Sequence, residues 1–272
     1  MTVNKKILFT DLDETLLTTD KRIGDATLKA LNDMLDAGHY ICFCSGRPAH
    51  AIDIITRPYG FNRPGSFIIG CQGAVVMDAS DGRVIASEPM DNADAIATAK
   101  AIDSKSIYPM CFSENKLLTK YNDEVLIRYN NVTHEEYEII DNFDQLANHN
   151  ILKIIAIDYN DHAKLEAFKS YYEPNEAGKL NSFFSCPMYL EYTKLGIDKG
   201  TGLRKLADYL HADIADTIAC GDEHNDIPMI NLAGIGVAVK NAHKDTLDAA
   251  DYITTVDNNH DAIAEVINKF IL

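Results

Sequence analysis

An α/β protein is predicted, with a doubly wound parallel-sheet core and a separate α+β domain inserted into it. Three observations carry this. Short apolar runs that read as buried strands alternate with helical periodicity near both ends of the chain. In the middle the pattern changes to short, antiparallel-looking strands set among helices, which suits a separate α+β layer. At 272 residues the chain also exceeds one average domain. The expected division is a core from residues 1–88 and 190–272 and an insert from residues 89–189.

Each element has a local reason. Ile7, Leu8 and Phe9 form a strand that stops at two carboxylates, Asp11 and Asp13. Ile23, Thr27, Ala30, Leu31, Met34 and Leu35 recur at helical spacing, and Gly38 suits the stop. Tyr40–Cys44 is a second strand, ending in Ser45-Gly46-Arg47-Pro48. Pro48 fits the first turn of a helix running to about Pro58. Phe67–Gly70 is a third strand, and Val75–Met77 and Val84–Ile85 flank the turn signal Ser80-Asp81-Gly82. In the insert, Asp91–Ser104 and Ala163–Tyr172 read as helices. Ile107–Ser113, Leu117–Tyr121 and Ile151–Asp158 read as strands, and Ser182–Cys186 with Met188–Tyr192 as a hairpin. The stretches Asp123–Asn130 and Glu135–Glu138 are mixed and weakly periodic. Tyr121, Tyr129 and Tyr189 are expected to be packing or surface residues rather than to touch a ligand. The core resumes with Lys199 opening a helix that carries Leu203, Leu206, Ala207 and Leu210 on one face. Thr217–Gly221 is a strand, a helix follows from Ile227, Ile235–Val239 is a further strand, and Asp257–Ile271 is the closing helix.

Composition limits the function classes. Hydrophobic content of 46% and charged content of 24% describe an ordinary globular protein. The net charge of −16 argues against nucleic acid as a partner, because such binding needs a basic face. It also means that any phosphate site must be built from local cations. The six cysteines lie mostly in apolar runs and form no Cys-x-x-Cys, which reads as buried free thiols in a reducing cytoplasmic setting. No apolar signal segment follows Met1, and no stretch reaches the roughly 18 apolar residues of a membrane span. A cytoplasmic protein with no membrane partner is expected; the oligomeric state is not readable.

The chemistry lies at the strand ends, where open α/β sheets place their ligands. Asp11 and Asp13 repel one another unless a cation or proton lies between them. Oxygen donors without Cys or His favour Mg²⁺ over zinc. Taken alone, the pair would serve equally well as a turn, and Ser45 would be better read as a simple helix cap. Ser45 at a strand end that opens a helix can also hold phosphate together with backbone N–H groups. Lys199 in the first turn of a helix opposes the helix dipole unless it faces an anion. The string Gly221-Asp222-Glu223-His224-Asn225-Asp226 puts three carboxylates and an amide at one strand-to-helix junction. That is hard to justify without a cation.

Together these four segments resemble the motifs of the haloacid dehalogenase superfamily in its Cof-like branch. Asp11-Leu-Asp13-Glu-Thr15 resembles the first motif, Asp-x-Asp-x-Thr, with Glu14 where relatives usually carry Gly. Ser45-Gly46-Arg47 resembles the second, Lys199 the third, and Gly221-Asp-x-x-Asn-Asp226 the fourth. Gln72 stands where relatives usually have Asn, so its role stays open, as does that of His224, which is expected at the surface or in modest substrate contact. The resemblance implies a Rossmann-like core with an inserted cap domain. It also implies a Mg²⁺-dependent phosphatase of small phosphorylated metabolites, with sugar phosphates as first candidates. By resemblance Asp11 is the nucleophile, forming an aspartyl-phosphate, and Asp13 the acid and base. Ser45, Gly46, Lys199 and Asn225 would bind phosphate, with Arg47 a weaker candidate. Asp11, Asp13, Asp222 and Asp226 would form the metal site, Asp13 through its backbone carbonyl and Asp226 through water or as an anchor; Glu223 is a weaker site candidate. Two alternatives share this core: a sugar-phosphate mutase needing a phosphorylated donor, and a receiver-like module that accepts phosphate as a signal. Asp13 speaks against the last, since a receiver needs no acid for a leaving group.

Overall fold

The computed structural model of the protein describes residues 5–272. The reading of the first few residues as free of a signal segment lies outside the described part. The chain divides into two compact units: one formed by the described residues up to Ala86 together with Asp198–Leu272, the other by Ser87–Ile197.

The first unit begins with β1 (Ile7–Asp11), α1 (Asp25–Asp36), β2 (Tyr40–Cys44), α2 (Ala49–Thr56), β3 (Ser66–Gly70), β4 (Val75–Asp78) and β5 (Val84–Ser87). The second carries α3 (Asn92–Ser104), β6 (Tyr108–Phe112), β7 (Leu117–Thr119), α4 (Glu124–Thr133), β8 (Tyr137–Ile139), β9 (Lys153–Ile157), α5 (His162–Glu176), β10 (Leu180–Cys186) and β11 (Tyr189–Lys194). The first unit resumes with α6 (Lys199–Tyr209), β12 (Thr217–Gly221), α7 (Ile227–Leu232), β13 (Ile235–Ala238), α8 (Lys244–Ala249), β14 (Tyr252–Ile253) and α9 (Ala262–Phe270).

The first sheet has the order β14-β13-β12-β1-β2-β3-β4-β5. It is parallel from β14 through β3 and turns antiparallel at β4. β1 sits centrally with all five residues buried, as its apolar run requires. In the register, Asp11 lies opposite Cys44 and Thr10 opposite Cys220. Three neighbouring parallel strands therefore end side by side, and the residues just beyond them, Asp13, Ser45 and Asp222, emerge from one edge. Ile7, Phe9, Cys42, Cys44, Leu203, Leu206, Ala219 and Met229 fill the core against this sheet.

The second unit is built on a six-stranded sheet ordered β10-β11-β9-β6-β7-β8. Its strands are antiparallel except for the β7–β8 pair. One face packs under α3 and α5 through Ala95, Ile102, Ile154, Leu165, Phe168 and Tyr192. The other carries Tyr108, Met110, Phe112 and Ile155 under Leu126 and Tyr129 of α4. The expected boundary at 189/190 falls inside β11, whose main-chain pairing with β9 and β10 keeps it in the second unit. The mixed stretch Asp123–Asn130 is helical: Asp123 caps it by accepting from the N–H groups of Val125 and Leu126. Tyr129 stacks edgewise on Tyr189, and the Tyr121 hydroxyl donates to Asp103. All six cysteines are free thiols, and only Cys186 is not fully buried.

Candidate active site

Asp11 closes β1 and is 7% exposed. The Lys199 ammonium, wholly buried at the start of α6, lies 2.5 Å from both Asp11 Oδ1 and Asp226 Oδ1. Asp198 caps α6 in a reciprocal pair with Thr201, which sets where Lys199 points. The lysine that opposes its helix dipole is thus offset by two carboxylates.

Asp226 has both oxygens engaged. Oδ1 takes Lys199, and Oδ2 accepts from the backbone N–H groups of Asp222 and Glu223, each at 3.0 Å. The carboxylate folds back over Gly221, where a Cβ would meet the Asp226 side chain at 2.3 Å. Only glycine permits that approach. Asp226 therefore shapes the loop. Asp222 is held by the Thr15 hydroxyl, which donates to its Oδ1 at 2.7 Å. Thr15 is a site residue to which no role was attached in the sequence, although it is the threonine of the Asp-x-Asp-x-Thr pattern.

Asp11, Asp222 and Asp226 bring oxygens within 4.8 Å of one another, all buried. Three carboxylates face one buried cation, so the cluster is two negative charges in excess when fully ionised. Burial and this excess of charge shift Asp11 and Asp222 upward. Burial pushes Asp11 well above the usual range, against the pull of Lys199, and Asp226 and Asp222 add to the rise. Burial raises Asp222 to about 7, with Asp226 adding to it and the Thr15 hydrogen bond opposing. An all-oxygen, over-charged, buried cluster is the donor set a hard divalent cation takes. The residues present fit Mg²⁺.

Asp13 is placed differently. Its carboxylate accepts two bonds from Arg47, at 2.9 and 3.1 Å, and lies 3.1 Å from the Lys21 ammonium. Burial would raise its pKa, but Arg47 and Lys21 outweigh that and hold it below the usual range. The Asp13 carboxylate is thus turned to these two cations, and Arg47 is engaged by Asp13. Ser45 is buried, and its Oγ accepts from the Arg47 N–H at 3.2 Å. Asn225 donates to Gln72 Oε1 at 3.1 Å, and Gln72 N–H donates to the Ser45 carbonyl. Gln72 sits at φ 60° and passes so close to Gly46 that a Cβ there would meet its Nε2 at 2.5 Å. Gln72 thereby joins the loops of Ser45 and Asn225, a role its departure from the usual Asn concealed. Glu223 is exposed and pairs with His224 rather than joining the buried cluster.

A family model described as haloacid dehalogenase-like hydrolase matches residues 8–267. The chain belongs to that family. It is 30% identical to a 5-amino-6-(5-phospho-D-ribitylamino)uracil phosphatase of Bacillus subtilis, over 96% of this chain and 95% of the relative. An HMP-PP phosphatase of Yersinia enterocolitica is 29% identical over 85% of this chain and 82% of its own length. Among solved structures, a haloacid dehalogenase-like hydrolase from Bacteroides thetaiotaomicron superposes with a TM-score of 0.87 at 26% identity, covering 98% of this chain and 99% of that one. Family and relatives agree with a phosphoric monoester hydrolase. Among the described residues, no helix is long and apolar enough to cross a membrane.

Proposed function

We propose that this hydrolase releases inorganic phosphate from small phosphorylated metabolites, sugar phosphates among them, through an aspartyl-phosphate on Asp11. The observation that carries the reading is the buried group of Asp11, Lys199, Asp222 and Asp226 at the ends of adjacent parallel strands. The names of the relatives support a small phosphoester as substrate.

In this reading an Asp11 carboxylate oxygen attacks phosphorus and the bond from phosphorus to the ester oxygen breaks. Asp13 gives a proton to the departing oxygen. Arg47 and Lys21 keep Asp13 ionised in the free protein, so its acid role requires it to gain a proton as substrate binds. A water then attacks the phosphorus of the acyl phosphate, Asp13 takes the water's proton, and phosphate leaves Asp11 regenerated. Lys199 and the Ser45 hydroxyl neutralise charge on the phosphoryl oxygens, where most catalysis of this transfer resides. Asp11, Asp222 and the Asp13 backbone carbonyl would hold Mg²⁺, with Asp226 as anchor. Bound there, the ion would offset the repulsion between a carboxylate nucleophile and a phosphate dianion. The unit Ser87–Ile197 is assigned the role of the cap that selects substrate.

Phosphate release should be assayed over sugar phosphates, nucleotide-like phosphoesters and a folded phosphoprotein. We expect turnover of small esters and loss of nearly all of it in a folded Asp11→Asn variant. Robust release by that variant would remove Asp11 from the mechanism. Transfer to a second sugar without net phosphate release would point to the mutase reading.

A further inference from the structure

Among the described residues, His224, His243 and Asp245 form a second group of ligand-type side chains apart from the buried carboxylates. His224 follows β12, and His243 and Asp245 stand at the start of α8, beyond the neighbouring parallel strand β13. His224 Nε2 lies 3.0 Å from Asp245 Oδ2, and His243 Nδ1 lies 3.9 Å from the same oxygen. The two imidazole rings are 4.2 Å apart between centroids. Each residue offers one ligand atom such that all three lie within 4.8 Å of one another. Tetrahedral zinc with bonds of about 2.1 Å needs its ligand atoms roughly 3.4 Å apart. The ligand atoms must draw together, and all three side chains are exposed enough to do so; His243 Nδ1 now accepts from the Asp245 N–H at 3.3 Å and would exchange that bond for the ion or offer Nε2 instead. The chemistry differs from that of the buried cluster: two imidazoles and a carboxylate suit Zn²⁺, Co²⁺ or Ni²⁺, whereas three buried carboxylates suit Mg²⁺.

The geometry points to a second metal site on this chain, formed by His224, His243 and Asp245, that takes a borderline divalent ion such as Zn²⁺ and completes its shell with water. Its place gives it a consequence. His224 lies in the loop between Asp222 and Asp226, and the His243 N–H donates to the Asp222 carbonyl at 2.8 Å. An ion held here ties the loop after β12 to the start of α8 and stabilises the edge of the core that carries Asp222. The competing reading is an ordinary surface ion pair, in which His224 only bridges Glu223 and Asp245.

The two readings separate in a titration of the full chain with Co²⁺ and with Zn²⁺, in saturating Mg²⁺ so that the buried carboxylates are occupied. The expected result is one equivalent bound, with the visible absorption of nitrogen-ligated Co²⁺ and a rise in melting temperature as Zn²⁺ is added. His224→Ala and His243→Ala should each weaken binding by at least about tenfold, since even loss of an outer-shell partner commonly costs that much. His243→Ala also removes the side-chain cap that accepts from the Asp245 N–H, so each variant is compared with itself with and without Zn²⁺, and neither should show the rise in melting temperature that the parent shows. If the parent binds no equivalent in Mg²⁺, or both alanine variants bind Co²⁺ as the parent does, the site does not exist. The readouts are spectroscopic and thermal, so they stand or fall independently of any phosphatase activity.

Discussion

Replacing Lys199 by Met tests the electrostatic logic of the site most directly. Met nearly matches the volume of the side chain and removes its charge. Lys199 is wholly buried against Asp11 and Asp226, and no other described cation is paired with either carboxylate. Removing one partner of a buried pair costs about 3–5 kcal/mol, because the remaining charge is stranded. For a unit of this size each kcal/mol moves the melting temperature by roughly 2–4 °C, so a drop of roughly 10 °C at neutral pH is expected without divalent cations. The sign with pH follows from the carboxyls. Asp11 is already raised, and Asp222 reaches about 7 even with Lys199 present. A raised carboxyl contributes stability at low pH that is lost as pH rises through its folded value. The variant's deficit should therefore shrink near pH 5, where protons take over the role of the lysine, and shrink again when Mg²⁺ is added at neutral pH. Phosphate release should fall by about 10²–10³-fold, the usual loss for one donor to a developing charge. Thermal melts at two pH values, with and without Mg²⁺, suffice as the assay. A variant as stable as the parent at neutral pH in chelator, or equally weakened at both pH values, would refute the reasoning.

Three further outcomes are expected. Excess chelator should abolish phosphate release and Mg²⁺ restore it, while Ca²⁺ should inhibit, since its larger, looser shell spoils in-line attack; full activity in chelator would contradict a metal at Asp11 and Asp222. Glu14 adopts φ 60°, a left-handed backbone that costs a non-glycine residue about 1 kcal/mol, so Glu14→Gly should raise stability by up to about that amount. A net loss in a urea melt would show that the contacts of Glu14 with Lys21 and Asn258 outweigh the strain. Glu135 in the second unit is buried, its Oε1 has no hydrogen-bond partner, and burial lifts its pKa to about 7 against the pull of Lys153. Stability should fall as pH rises from 4.5 through 7, and Glu135→Gln should flatten that dependence and gain on the order of 2 kcal/mol above pH 7; an unchanged pH profile would remove Glu135 as its source.

Much of the site was legible in the chain because its signals are local. An apolar strand that stops at a polar residue is visible in a dozen residues, and Asp11, Ser45 and Asp222 each stand at such an ending, while Lys199 shows as a cation in the first turn of a helix. Strand parallelism then brings the endings together: once Asp11 is opposite Cys44 and Thr10 opposite Cys220, the residues beyond them have to meet. Where the reading fell short, the deciding partner was far away in sequence. Arg47 turns to Asp13 rather than standing free for phosphate, and nothing within a few residues of either announces it. Gln72 and Thr15 matter through Asn225 and Asp222, which lie 153 and 207 residues further along. The helix Glu124–Thr133 looked irregular because it leaves Ile127 and Val132 in solvent while burying Leu126 and Tyr129; its local period is weak, and packing on the sheet decides its state. The end of the second unit likewise depends on β11 pairing with β9, a main-chain contact that no side-chain pattern encodes. The sequence by itself determined the strand ends and the chemistry placed on them. Only the tertiary structure decided which charge neutralises which, because charges pair by distance in space, and that distance is set by the sheet.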